Sequence, residues 1–332
     1  MMARYSAYYI LLFFVVTAHS NAQHSLSATV RYEFGVFENA ISISGNVLGD
    51  VYVLDASTNL LHKFWNDGKE HKIIGGKGWG TTEFDEPKNV CAVFPLNVYV
   101  ADAGNRRIQK YDNQLNYIQS INQNVAAKEG AAPQAWFPIA TALSPHGEIF
   151  ILDSDGKRII KCNSQTVVEK EISLFTLGKG RLQHPKDIAA LSNGSIAVLD
   201  EEKIIFIDAY GNYNSTILFD TTFHYQSLSA NGNAAVRHHV QRDNSRRDVR
   251  SPEGMASPDS FGGFPLIAVA PHCITFFSTT GEEREFLQSS SLFGLSGVVE
   301  FRDAMLVDSQ LLILLANKVL VVDIHRKNKS DK

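Results

Sequence analysis

The residues in this sequence best suited to hold a metal are four histidines: His224, the adjacent pair His238 and His239, and His272. Neutral imidazole is a good ligand for divalent ions, and a divalent metal on this set would support a lyase or hydrolase. Neighbouring residues on a strand point to opposite faces, so His238 and His239 can share one ion only where a strand has ended. A second cluster follows directly. Arg242, Arg246, Arg247 and Arg250 lie among Asp243, Asp248, Glu253 and Asp259, with Pro252 and Pro258. A solvated loop of this composition needs no function. As a recognition loop, its guanidinium groups would pair with carboxylates or phosphates on a partner. The glycines Gly75, Gly76, Gly78 and Gly80 lack the Gly-Lys-Ser/Thr ending and the following helix of a phosphate loop, and read as a turn between structural units.

A catalytic set is harder to assemble. Ser42, Ser44, Asn89, Thr141, Asp187 and Ser227 fall on strands that would line the centre of the molecule, and they offer polar groups without an evident general base. The balance favours a protein that binds rather than catalyses and that requires no cofactor, with the metal-dependent enzyme as the alternative.

The elements that must carry these residues are repeated hairpins. In residues 98–112 an apolar run (Val98, Tyr99, Val100) reaches Asp102, turns at Gly104 and Asn105, and returns through Ile108 and Tyr111. The Asp102 carboxylate is expected to accept N–H groups two or three residues on, with Gly104 and Asn105 taking the positive φ of the turn. Equivalent aspartates stand at Asp55, Asp153 and Asp200. Their spacing matches the roughly 40–50 residues of a four-stranded propeller blade.

Strands are expected at 41–44, 51–55, 60–65 and 71–74 in the first unit and at 89–93, 98–112 as a hairpin, and 115–121 in the second. The third has 139–143, 149–153, a strand from Ile159 and 167–172, and the fourth 187–191, 196–200, 204–208 and 216–219. The fifth is irregular, with 225–230, 234–238, 267–271 and 274–277 around an insertion near 240–263. The sixth has 305–307, 311–315 and 319–324 and lacks a fourth strand. An isolated alternating strand at 29–37 can supply it and join the chain ends. The expected fold is therefore all-β: a six-bladed β-propeller of four-stranded antiparallel blades, closed by the N-terminal strand completing the last blade. A seventh blade fits only if the fifth unit hides a degenerate one.

The run from Val98 to Asp112, preceded by Phe84, Pro87 and Val90, resembles the NHL repeat, a Tyr-Val-Ala-Asp strand followed by a small-residue turn and an Asn-x-Arg-Ile segment. The other aspartate units keep the strand and the aspartate. Lys157, Arg158 and Ile159 keep the Arg-Ile pair in the third. The resemblance implies the propeller fold. It is open on function, because such propellers serve as protein-binding platforms, nucleic-acid binders and scaffolds of a few secreted lyases.

Composition narrows the choice. The chain has 332 residues, 44% of them hydrophobic, and a net charge of -4, which disfavours nucleic acid as a partner. Residues 1–22 read as a cleaved signal peptide: Arg4, an apolar run at 8–16, and small residues at Ser20 and Ala22. That run is about half of the roughly 20 residues a membrane span needs, so no transmembrane segment is expected after cleavage. The expected product is a secreted or periplasmic monomer with a single domain at 23–325, a charged tail at 326–332, and a protein, peptide or glycan partner. Asn193 and Asn214 begin Asn-x-Ser/Thr sequences, acceptors only in a eukaryotic secretory pathway. Cys91, Cys162 and Cys273 are read as buried free thiols, with a single disulfide as the alternative.

Overall fold

The computed structural model describes residues 23–123, 135–173, 177–219, 224–230, 266–278, 284–295, 299–307 and 310–326. Short β-branched and aromatic runs form its strands, many turned back at Gly, Asn or Asp and others at pairs such as Glu201-Glu202 and Pro271-His272. The first unit is β1 (Gln23–Phe34), set apart, then β2 (Ala40–Gly45), β3 (Val51–Asp55), β4 (Leu60–Phe64) and β5 (Glu70–Gly75). The second is β6 (Pro87–Cys91), β7 (Asn97–Asp102), β8 (Arg107–Asp112) and β9 (Tyr117–Ile121). The third comprises β10 (Pro138–Leu143), β11 (Ile149–Asp153), β12 (Arg158–Cys162) and β13 (Val168–Ile172), and the fourth β14 (Pro185–Ala190), β15 (Ile196–Asp200), β16 (Lys203–Ile207) and β17 (Tyr213–Leu218). There follow β18 (Ser227–Ala230), β19 (Leu266–Ala270), β20 (Cys273–Phe277) and β21 (Arg284–Phe293), and finally β22 (Asp303–Val307), β23 (Gln310–Leu314) and β24 (Val319–Arg326).

These strands make an all-β propeller of four-stranded antiparallel sheets, but not six separate blades. The first four units are each one sheet, and the remaining strands form a single eight-stranded sheet in the order β18-β19-β20-β21-β1-β24-β23-β22. The cause of the merger is β1. It pairs antiparallel with β24, as at Val30 and Val322, and also parallel with β21, as at Leu26 and Leu287. The strand expected at 29–37 thus begins at Gln23, and β21, which was not expected at all, lies along its other side. Leu26 and Ala28 are fully buried between the two neighbours. β24 runs through Arg326, the first residue of the expected tail. Residues 1–22, 234–238 and 240–263 lie outside the described residues.

The first strands pack in a closed ring: β2 against β6, β6 against β10, β10 against β14, β14 against β18, β18 against β22, and β22 against β2. Apolar clusters fill the gaps between neighbouring units. Tyr52, Leu54 and Leu61 of the first meet Phe84, Val100 and Tyr111 of the second, and Leu152 and Ile159 of the third meet Ile196 and Val198 of the fourth. Polar ties cross the same gaps, as where the fully buried Lys63 donates to Asn113 O at 2.7 Å.

The repeat aspartates clamp each unit, though not as expected. Asp102 accepts Asp85 N at 2.7 Å, Asn105 Nδ2 at 2.9 Å and Arg107 Nε at 2.7 Å, and no backbone N–H two or three residues on. Its equivalents share the upstream bond: Asp55 with Glu38 N at 2.7 Å, Asp153 with Phe137 N at 2.9 Å and Asp200 with His184 N at 2.6 Å. The forward bond survives at Asp55, to Ser57 N at 3.0 Å, and at Asp153, to Gly156 N at 3.3 Å. Each carboxylate therefore ties the end of the second strand to the chain entering the first. Where the aspartate is missing, backbone replaces it: Gln226 N donates to Val269 O and Arg302 N to Leu314 O, both at 2.8 Å. The positive φ of the second-unit turn falls on Arg106 (φ 53°) rather than on Gly104 or Asn105. Gly104 is needed for a different reason, since a Cβ there would lie 2.7 Å from Asp85 O.

Candidate binding cavity at the centre of the ring

The ring of first strands encloses a cavity of about 130 Å³. Asn89, Asp187 and Asp303 line it from one repeated position of the first strands. Ser42, Asn89, Ala140, Asp187 and Ser227 are each paired with the residue just before the end of the second strand, and Asp303 with the last residue of its own. In the first four units the pairing register breaks immediately before this residue, a bulge of the kind that re-aims a side chain.

From this position a side chain can reach the backbone of the next unit. Ser42 Oγ accepts Val90 N at 3.2 Å, and Asn89 Oδ1 accepts Thr141 N at 3.2 Å. Asp187 Oδ2 accepts Leu228 N at 2.8 Å, and Asp303 Oδ2 accepts Ile43 N at 2.9 Å. Ala140 has nothing to offer its neighbour, and Ser227 makes no such bond. In those two places the next unit satisfies its own N–H: Asp187 Oδ1 accepts Ile188 N, and Asp303 Oδ1 accepts Ala304 N, both at 2.8 Å. The result is a belt that stitches the first strands together and leaves no N–H of the set unpaired.

Burial dominates the electrostatics. It raises the Asp187 carboxyl to about 8, with the nearby Asp303 charge adding to the rise and the two N–H bonds opposing it. Asp303 is pushed up to about 6 by burial, against bonds from Ile43 N and neighbouring groups. Cys91, also on the cavity wall, has its thiol pushed up to about 12 by burial and is unreactive as a nucleophile. Cys91, Cys162 and Cys273 are all buried free thiols.

Val47, Val93, Phe94, Pro145, Leu191 and Ala230 line the way out. Val47, Val93, Phe94, Pro145 and Leu191 belong to the turns joining first to second strands and Ala230 ends β18, so the mouth lies on the face where those turns emerge. Leu48 and Leu96, in the turns of the first two units, are 62% and 72% exposed. Ala230 and Leu266 pair directly as the ends of β18 and β19.

The expected metal ligands do not converge on this cavity. His224 and His272 are exposed, His272 Nδ1 lies 3.2 Å from Val299 O, and neither lines the wall. His272 sits in the turn between β19 and β20, at the opposite end of the sheet from the mouth. His238, His239, Arg242, Arg246, Arg247 and Arg250 lie outside the described residues. Among the described residues no three or more His, Cys, Asp or Glu side chains group as a metal site. Of the polar residues expected at the centre, Asn89, Thr141, Ser44 and Asp187 do line the cavity. Asp303 was not anticipated. Its signal would have been the constant spacing of the belt residue before each repeat aspartate, which is lost where the last unit has no such aspartate.

Fold and repeat geometry together define a β-propeller with an aspartate clamp in four of its units. No protein-family model matches the chain. Over 119 residues it is 26% identical to human NHL repeat-containing protein 3 and 25% identical to the mouse protein of that name. These matches cover 35% of this chain and only 32% of either relative. Among solved structures, a streptogramin B lyase covers 89% of the chain, and 97% of its own length, with a TM-score of 0.58 and 12% identity. Virginiamycin B lyase from Staphylococcus aureus covers 88%, and 98% of its own length, with a TM-score of 0.54 and 11% identity. At such identities the two structures speak for the fold alone. The molecule is an NHL-like β-propeller.

Proposed function

We propose that this protein is an exported, six-bladed, non-catalytic binding scaffold whose cavity mouth receives an apolar side chain of a protein or peptide partner. The observation that carries the proposal is the pair of exposed leucines, Leu48 and Leu96, in the same two turns that supply Val47, Val93 and Phe94 to the cavity lining. Isolated exposed leucines need no explanation, but several apolar groups ringing one concave opening form the kind of pocket that anchors a partner residue. A glycan would call for more polar groups at the rim. The clamps and belt hold the mouth rigid, so little ordering entropy is lost on binding.

The closed ring of first strands supports six units, with the eight-stranded sheet as two of them joined at their outer strands. Export rests on the composition of residues 1–22. Arg242, Arg246, Arg247 and Arg250 would add charged contacts to a partner, a reading that rests on the composition of the sequence around them. The lyase or hydrolase alternative has less support, because His224 and His272 stand away from the cavity.

Peptides selected from a display library against the intact protein test the proposal. They are expected to carry an aromatic or aliphatic anchor and to bind the Leu48→Glu/Leu96→Glu double variant at least about tenfold more weakly. Binders that retain full affinity for that variant would place the recognition surface elsewhere.

A further inference from the structure

We propose that Asn214 carries an N-linked glycan, attached as the chain passes through a eukaryotic secretory pathway. The proposal rests on the export reading of residues 1–22 and goes beyond it by assigning one residue and one chemistry. Asn214, Ser215 and Thr216 form the acceptor sequence, an asparagine with a hydroxyl two residues on and no proline between. In the transfer, Asn214 Nδ2 loses a proton and bonds to C1 of the first sugar of a lipid-linked oligosaccharide. The C1–O bond to the lipid diphosphate breaks, and the diphosphate leaves with the electron pair. A glycan is bulky and hydrophilic, so it persists only where the folded chain gives it room at the surface.

The fold provides that room. β17 is the outermost strand of its sheet and pairs on one side only. Within it Asn214 is the extra residue of a β-bulge: Phe206 pairs with Ser215 and Ile207 with Tyr213, which leaves Asn214 without a partner across the ladder. A bulge of this kind re-aims a side chain. The same bulge recurs at His71, Ile118 and Glu169 in the outer strands of the three preceding units, and all four residues are exposed. The repeat thus builds an exposed position on the outer strand of each of these units, and the fourth unit places an acceptor asparagine there. A glycan on β17 would also guard an edge. Tyr210, in the turn before the strand, and Leu218, at its end, are 79% and 71% exposed, and bulk beside them blocks the addition of a strand from a second chain. Asn193 differs. It begins a second acceptor sequence, but its Oδ1 accepts Ser195 N at 3.0 Å and Ser195 Oγ at 2.6 Å inside a tight turn, beside Leu191 and Ser192 of the cavity wall. A sugar there would crowd the mouth. A third acceptor sequence, at Asn328, lies outside the described residues.

The test is expression of the full chain in cultured animal cells, with the medium and the cell lysate examined separately. Protein in the medium is expected to migrate faster on a gel after treatment with a peptide N-glycosidase. Carried out in heavy-oxygen water, the same treatment is expected to convert Asn214 to a labelled aspartate, read by peptide mass spectrometry. Asn214→Gln and Thr216→Ala should each abolish the gel shift contributed by this site, the second while keeping the asparagine, and Asn193→Gln should leave it unchanged. Secreted protein that is bare at Asn214, or that carries sugar only at Asn193 or Asn328, would overturn the proposal while export stands. A chain confined to the lysate, with residues 1–22 attached and no sugar, would overturn both.

Discussion

At the scale of single residues the molecule is governed by aspartates in two unlike roles. Asp102 is fully buried, and its carboxylate meets Arg107 Nε, Asn105 Nδ2 and Asp85 N together. Asp102→Ala leaves the Asp85 N–H unpaired and takes the carboxylate from Arg107, whose guanidinium keeps its bonds to Trp79 O, Gly80 O and Glu83 O, and is expected to cost about 2 kcal/mol, read as a shift in the denaturant midpoint. Burial raises both carboxyls, and at Asp187 the rise is large. Its folded-state pKa of about 8 lies above its ordinary value, so the folded protein binds a proton that the unfolded chain releases near pH 4. The stability gained from that proton is fully present below roughly pH 4 and is lost as pH rises through about 8. Tm should therefore fall between roughly pH 5 and pH 8, and Asp187→Asn should flatten the slope; a profile that the substitution leaves unchanged would mean that another group titrates.

At the scale of elements, the decisive piece is β1. Alternation of Val30, Tyr32 and Phe34 made its second half legible, because Val30 and Phe34 are half-buried while Arg31 and Glu33 are exposed; Tyr32 keeps the pattern but is itself exposed. Its first half was not legible, since pairing on both sides buries consecutive residues and erases the period of two. β21 escaped for a related reason: Gln288, Ser289, Ser290 and Ser291 have weak strand propensity, and the pairs that hold the strand lie largely to either side of the serines, with β20 up to Gln288 and with β1 up to Leu287 and again from Leu292. The clamps show the same limit. The aspartates could be picked out by spacing, but their main partner lies far upstream, at the entry to the first strand, and that pairing exists only once the unit has folded. If β1 is the seam of the molecule, Leu26→Ala, at a fully buried site between two parts of the sheet, should cost about 3 kcal/mol. Val36→Ala, 90% exposed just beyond the strand, should stay within about 0.5 kcal/mol of wild type in the same unfolding assay.

At the scale of the whole molecule, a ring of first strands closes on itself and is stitched by a polar belt, with the turns at one end left to carry function. The ring was legible in the repeat spacing. The cavity was legible only in part: four of its polar residues could be placed on central strands, whereas Asp303 and the apolar rim could not, because turn residues such as Leu48 and Leu96 follow no periodic pattern. The molecule's stiffness and its open mouth suit binding by insertion of a partner side chain. The most direct measurement is amide hydrogen exchange followed by mass spectrometry, with and without a selected peptide. Protection concentrated in the turns at residues 46–50 and 92–96 is the predicted result; protection on the outer strand β5, or around Pro271 and His272 on the opposite face, would contradict it.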